Sequence, residues 1–141
     1  MKKTGIIIAV VALMFCVFFF AIQKPAGSES NQPLSQNLID SGVKIIDIRT
    51  KGEWVQTGIV PGAFTLTYFD EKGNYNNQAF LSELEKIVPD KNEKFGIICR
   101  SGNRTSKLLP VLHDNGYINA FDILGGVKTA EDAGVTLVPY K

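Results

Sequence analysis

The sequence predicts an α/β domain built on a small, mainly parallel sheet flanked by helices, set behind an N-terminal hydrophobic helix. Three observations predict it. Compact β-branched or apolar runs at 43–48, 95–98 and 120–123 alternate with helix-period segments at 76–88 and 105–115, the pattern of parallel strands joined by helical crossovers. Gly and Pro punctuate the joins, at Gly42, Pro61-Gly62, Gly73, Pro89, Gly116 and Gly125-Gly126. Finally, 17 of the 18 residues from 5 to 22 are apolar and none is charged.

The apolar run follows Lys2 and Lys3. At 18 residues it exceeds a usual signal-peptide core and spans about 27 Å as a helix, enough for a thin bilayer. Residues 1–24 are therefore expected to be an uncleaved membrane anchor, with a cleaved signal peptide as the alternative. Ala26-Gly27-Ser28 offers the small residues cleavage needs. Phe15 before Cys16 argues against a lipid-modified cysteine. Either way, the two leading lysines stay cytoplasmic and the rest of the chain is sent to the extracytoplasmic, periplasmic side. Residues 25–33 are small and polar with a proline, and read as a flexible linker.

Residues 34–141 form one domain by length. Residues 34–41 predict a short helix stopped by Gly42, and 43–48 a buried strand. Thr50 is placed to cap a short helix over 50–56, and 63–67 predict a second strand. In 76–88, apolar residues at 80, 81, 84, 87 and 88 give a helix ended by Pro89. Residues 95–98 are a short buried strand and Cys99 to Arg104 a polar loop. Leu108, Leu109 and Leu112 share one face of a helix over 105–115, and 120–123 are a last strand. Gly125-Gly126 open a final short helix.

Charge excludes some functions. Beyond residue 24 there are 12 Lys+Arg against 14 Asp+Glu, so no basic face for nucleic acid is expected. Cys99 is the domain's single cysteine and His113 the chain's single histidine. That excludes an internal disulfide framework and a Cys/His zinc site, and no cofactor or metal is expected. His113 is expected at the surface, not as a base. Trp54, Phe64 and Tyr68 are expected in the core more than in a pocket.

Chemistry concentrates in one segment, Phe95-Gly-Ile-Ile-Cys99-Arg-Ser-Gly-Asn-Arg104-Thr105. A lone cysteine closes a buried strand, a short loop follows, and a helix begins. Ligands of parallel sheets bind at the carboxyl ends of strands, where Cys99 falls. Loop amides turned inward, a helix N-terminus, and the charges of Arg100 and Arg104 each favour thiolate over thiol. Cys99 is thus the candidate nucleophile, with Arg100, Ser101, Gly102, Asn103, Arg104 and Thr105 around its ligand.

The segment resembles the active loop of single-domain rhodaneses, Cys-x-x-Gly-x-Arg-Ser/Thr. Ile45-Ile-Asp-Ile-Arg49 with Glu53-Trp54, Val60-Pro-Gly-Ala63, Gly125-Gly126 and Ala133-Gly134 resemble other patterns of that family, in the same order. The resemblance spans about residues 34–138. It implies a rhodanese-like fold and a sulfurtransferase. Cys99 would take a sulfane sulfur from a donor such as thiosulfate, hold it as a persulfide among the loop amides, and pass it to cyanide or a thiol, a protein thiol included. Arg104 would brace the loop and the anionic donor, and Arg100 would draw anions in. Asp47 and Arg49 are expected to be structural supports of the strand end. The chain departs from the family at Ile59, Ala130 and Thr136, where His, Trp and Pro are frequent; these positions concern the rim and substrate choice. Two other readings are a sulfur-carrier or interaction module, and a cysteine-dependent phosphatase or arsenate reductase. The latter needs a longer loop for its tetrahedral anion.

Overall fold

The computed structural model describes residues 31–141; the expected anchor at 1–24 lies outside them. The described residues form a five-stranded, all-parallel sheet with helices on both faces. In chain order the elements are β1 (Gln32–Pro33), α1 (Gln36–Asp40), β2 (Lys44–Asp47), α2 (Lys51–Thr57), β3 (Phe64–Thr65), α3 (Asn77–Ile87), β4 (Phe95–Ile98), α4 (Thr105–Asp114), β5 (Ala120–Leu124) and a 3-10 turn (Gly126–Thr129). The strands lie side by side in the order β1-β5-β4-β2-β3. Pairings such as Ile46↔Ile97 and Ile97↔Asp122 set the register.

Local chemistry explains the boundaries. Ser35 caps α1 by accepting from the Leu38 amide. Thr50 caps α2 in a reciprocal capping box with Glu53, and Asn76 caps α3. Each cap satisfies an amide that the first helical turn leaves open.

Side chains alternate across the sheet and divide the core in two. Ile46, Ile97, Cys99 and Ala120 face α3 and α4, packing on Phe80, Leu84, Leu108 and Leu112. Ile45, Ile98, Phe121 and Ile123 face the other way, onto Leu38, Val127 and Val135. Cys99 therefore emerges from the central β4 on the α4 side. The alternation also puts Asp122, two positions after Ala120, on that side.

Three expectations are corrected. The linker placed at 25–33 ends earlier, because Gln32 and Pro33 pair in parallel with Ile123 and Leu124 as the edge strand β1. A proline is tolerated on such an edge. Phe64, expected in the core with Trp54 and Tyr68, is 42% exposed on the edge strand β3, whereas the other two are buried. His113 is half-buried, and its Nε2 lies 2.9 Å from the Ala120 carbonyl. A carbonyl only accepts, so Nε2 carries the proton and the ring ties α4 to β5. Among the described residues no helix is long and apolar enough to cross a membrane.

Candidate active site

Cys99 follows the last residue of β4 and is 1% exposed. The chain then turns through Arg100, Ser101, Gly102, Asn103 and Arg104 and enters α4 at Thr105. Gly102 makes that turn possible with φ at +98°, a region other residues rarely adopt. Its amide N–H donates to Cys99 Sγ at 3.1 Å. Thr105 Oγ1 lies 3.8 Å from the same sulfur and donates to the Gly102 carbonyl at 2.9 Å. Burial pushes the Cys99 thiol up. The amides of Thr105, Arg104, Ser101 and Gly102 more than offset this, leaving it below its ordinary value of 9.0. The Gly102 amide thus donates to the sulfur, and the dipoles of the loop favour its thiolate form.

Arg104 is turned toward α2. Its two terminal nitrogens donate to Glu53 Oε2 and Oε1, each at 2.6 Å, a bidentate pair that is geometrically specific. The same Glu53 accepts from the Thr50 amide at 3.1 Å. One carboxylate therefore locks the loop to the start of α2. Hydrogen bonding from Arg104 holds the Glu53 carboxyl at about 2, well below its ordinary 4.5, even though burial opposes it. The pair raises Arg104 in turn, and Cys99 adds to that rise. Arg104 thus braces the loop, as expected, through a partner that sequence reasoning did not assign. The available signals were the capping spacing from Thr50 to Glu53 and the Glu53-Trp54 pair that resembles a family pattern.

The lowered Glu53 value has a pH consequence. A depressed carboxylate stabilises the fold above its unfolded value and loses that contribution as pH falls toward its folded value. Glu53→Gln should lower the thermal midpoint at pH 7, and the gap to wild type should close between about pH 5 and pH 2. Melting curves followed by circular dichroism at pH 7, 4 and 2.5 check this. A gap that persists unchanged at pH 2.5 contradicts the pair's role.

The 3-10 turn supports the loop from the other side. Val127 and Lys128 amides donate to the Cys99 and Arg100 carbonyls at 2.9 and 3.1 Å. Gly126 lies directly against these carbonyls: a Cβ there would stand 2.4 Å from the Cys99 oxygen.

Asp47 and Arg49 are fully buried, as structural supports should be. Arg49 Nε and Nη2 donate to the Asp47 carboxylate at 2.9 and 2.7 Å. The guanidinium also donates to Thr57 Oγ1 and the Gly58 carbonyl, tying the end of β2 to the end of α2. Arg49→Leu leaves a buried, unpaired carboxylate and should cost about 3–5 kcal/mol. The double change Asp47→Leu/Arg49→Leu should recover part of that loss in urea unfolding.

Arg100, Ser101 and Asn103 are exposed along the loop. A groove of about 390 Å³ opens beside it, lined by Glu53, Gln56, Arg100, Val127, Lys128 and Leu137 among others. Arg100 and Lys128 give this mouth two cations. No group of three or more His, Cys, Asp or Glu residues suited to a metal is found among the described residues.

An all-parallel α/β sheet with a buried cysteine at the carboxyl end of a central strand, in a loop whose amides lower its pKa, defines a class of small cysteine-centred domains. Within that class the chain belongs to the rhodanese-like domain family, whose model matches residues 30–132. It is similar to the rhodanese domain-containing protein CG4456 of Drosophila melanogaster, 33% identical over 79 residues, covering 55% of this chain and 71% of that protein. It is also similar to the crystal structure of SSP1007 from Staphylococcus saprophyticus, with 26% identity, a TM-score of 0.52, and coverage of 74% and 97% of the two chains. The human single-domain sulfurtransferase TSTD1 shares the fold at 19% identity and a TM-score of 0.52, over 71% of this chain and 95% of that one. Membership supports sulfur transfer in general.

Proposed function

We propose that this domain moves a sulfane sulfur from an anionic donor such as thiosulfate to a thiophilic acceptor, cyanide or a thiol, through a Cys99 persulfide. The observation that carries this reading is the buried Cys99 sulfur under Gly102 N–H at 3.1 Å, in a loop of six residues from Cys99 to Arg104. The Cys99 thiolate attacks the outer sulfur of thiosulfate. A sulfur–sulfur bond forms to Cys99, the donor's own sulfur–sulfur bond breaks, and sulfite leaves with the electron pair. The acceptor then attacks the outer persulfide sulfur and Cys99 departs as thiolate. No net oxidation occurs and no cofactor enters. The loop amides that hold the thiolate also hold the anionic persulfide, which is preorganised electrostatic stabilisation.

Loop length separates this from phosphate or arsenate chemistry. A cradle this short suits one added sulfur atom and leaves little room for a tetrahedral oxyanion. Arg100 and Lys128 at the groove suit an anionic donor or acceptor, a protein thiol among the latter. Lys2, Lys3 and the uncharged run at 5–22 support an anchored, extracytoplasmic placement; cell fractionation of the full chain, with protease added outside the cytoplasmic membrane, tests it.

The chemistry is tested by comparing thiocyanate formation from thiosulfate and cyanide with hydrolysis of a phosphate ester by the same preparation. Thiocyanate turnover without ester hydrolysis is expected. Ester hydrolysis without thiocyanate overturns the reading.

A further inference from the structure

The groove beside the active loop is larger than thiosulfate or cyanide needs. Its volume of about 390 Å³ suits a small organic molecule. One of its walls is Leu137, which lies beyond the residues 30–132 that the family model matches. A short strap, residues 137–140, fixes that wall. The Ile59 amide donates to the Val138 carbonyl at 2.9 Å, and the Val138 amide donates back to the Ile59 carbonyl at 2.8 Å. Gly58 admits this close approach, because a Cβ there would stand 2.6 Å from the Val138 oxygen. Tyr140 then packs on Trp54 of α2, with ring centroids 5.2 Å apart. Leu137 itself is half-buried and packs on the core cluster that includes Val127.

Charge in the groove is one-sided. Arg49 is spent on Asp47, Thr57 and the Gly58 carbonyl, and both Glu53 oxygens are taken by Arg104. Arg100 and Lys128 have no ion pair among the described residues. These two are neighbours, because the Lys128 amide donates to the Arg100 carbonyl at 3.1 Å, and Arg100 directly follows Cys99. The groove thus combines two unspent cations beside the cysteine with an apolar surface from Val127 and Leu137. An inorganic anion would use the cations and leave the apolar surface uncovered.

We propose that this groove binds the sulfur acceptor, and that the acceptor is an organic thiol bearing a carboxylate, of amino-acid or short-peptide size. Arg100 and Lys128 pair with the carboxylate, while Val127 and Leu137 cover the carbon body. Lys128 and Leu137 are therefore specificity-determining residues for the second half of the transfer. The acceptor thiol gives its proton to water, its sulfur bonds to the outer persulfide sulfur, and Cys99 leaves as thiolate. The product is an organic persulfide. The inference rests on Cys99 carrying sulfur, but its test uses no sulfur donor. A failure of sulfur transfer and a failure of the groove are thereby seen separately.

Cys99 alkylation by iodoacetamide is followed in the full chain by peptide mass, which separates Cys99 from Cys16. N-acetyl-S-methylcysteine, which has the acceptor's shape and no thiol, is added as a protectant and compared with its carboxamide. The acid should protect at a concentration at least about threefold lower than the amide, the size of one partly exposed ion pair. Equal protection by the two, or protection by neither, overturns the proposal, and this comparison needs no variant. In Lys128→Gln the preference for the acid should fall; an undiminished preference overturns the role of Lys128. Leu137→Ala should weaken protection by acid and amide alike, by at least about threefold, as the loss of buried methyl groups implies. Unchanged protection in the folded variant overturns the role of Leu137.

Discussion

Cys99→Ser is expected to abolish sulfur transfer while leaving the fold intact. The change swaps sulfur for oxygen in a buried position and keeps the side chain's shape. A serine hydroxyl is not ionised by the amides of Ser101, Gly102, Arg104 and Thr105, and it forms no persulfide. Turnover should fall by at least about a thousandfold, as expected when a covalent nucleophile is removed. The stability cost should be modest, about 1 kcal/mol, because Cys99 also fills part of the core beside Ile97 and Leu108. Thiocyanate formation and far-UV circular dichroism on the same sample check both halves. A variant that retains more than a tenth of wild-type turnover contradicts the role given to Cys99.

The second large effect is expected far from the sulfur in sequence. Gly126→Ala should disable the site even though residue 126 bears no chemistry. Gly126 has φ at +63°, and an added Cβ would meet the Cys99 oxygen at 2.4 Å and the Arg100 carbonyl carbon at 2.5 Å. These are backbone atoms, so relief requires moving the loop that cradles the thiolate. Misplacement on the order of 1 Å at a reacting group costs about a hundredfold in rate. Backbone strain adds about 1–3 kcal/mol of lost stability. Gly62→Ala is the matched control: φ is +76° but nothing lies within 4 Å of the added atom. It should lose stability and keep its kcat/KM. Comparable rate losses in both variants contradict the packing account.

Much of this was legible because periodic elements announce themselves. The runs at 43–48, 95–98 and 120–123 became β2, β4 and β5, and the Leu108-Leu109-Leu112 face became the buried side of α4. The loop was legible because Cys99, Gly102 and Arg104 stand close together in the chain, and a strand-to-helix turn needs only local chemistry. What escaped was long-range. Gln32–Pro33 has no strand character of its own and is a strand only because β5 offers it an edge. The Arg104–Glu53 pair joins residues 51 positions apart, and nothing near Arg104 in sequence names its partner. Phe64 has strong strand propensity, but its strand is the sheet's last, so one of its sides meets solvent. Asp122 did carry a signal, a single charged residue inside an otherwise apolar strand. Its burial follows from the register that sets it opposite Ile97 in the middle of the sheet.

Sulfur transfer by this domain requires Cys99 to accept and return one sulfur atom. Residues 31–141 hold the five-stranded sheet and the loop around Cys99, and the sample is the full chain. Intact mass is recorded before thiosulfate, after thiosulfate, and after a chase with cyanide, for wild type and Cys99→Ser. The wild type should gain one sulfur atom and lose it on the chase, with no change in Cys99→Ser. No gain on the wild type, or an equal gain on Cys99→Ser, would contradict it.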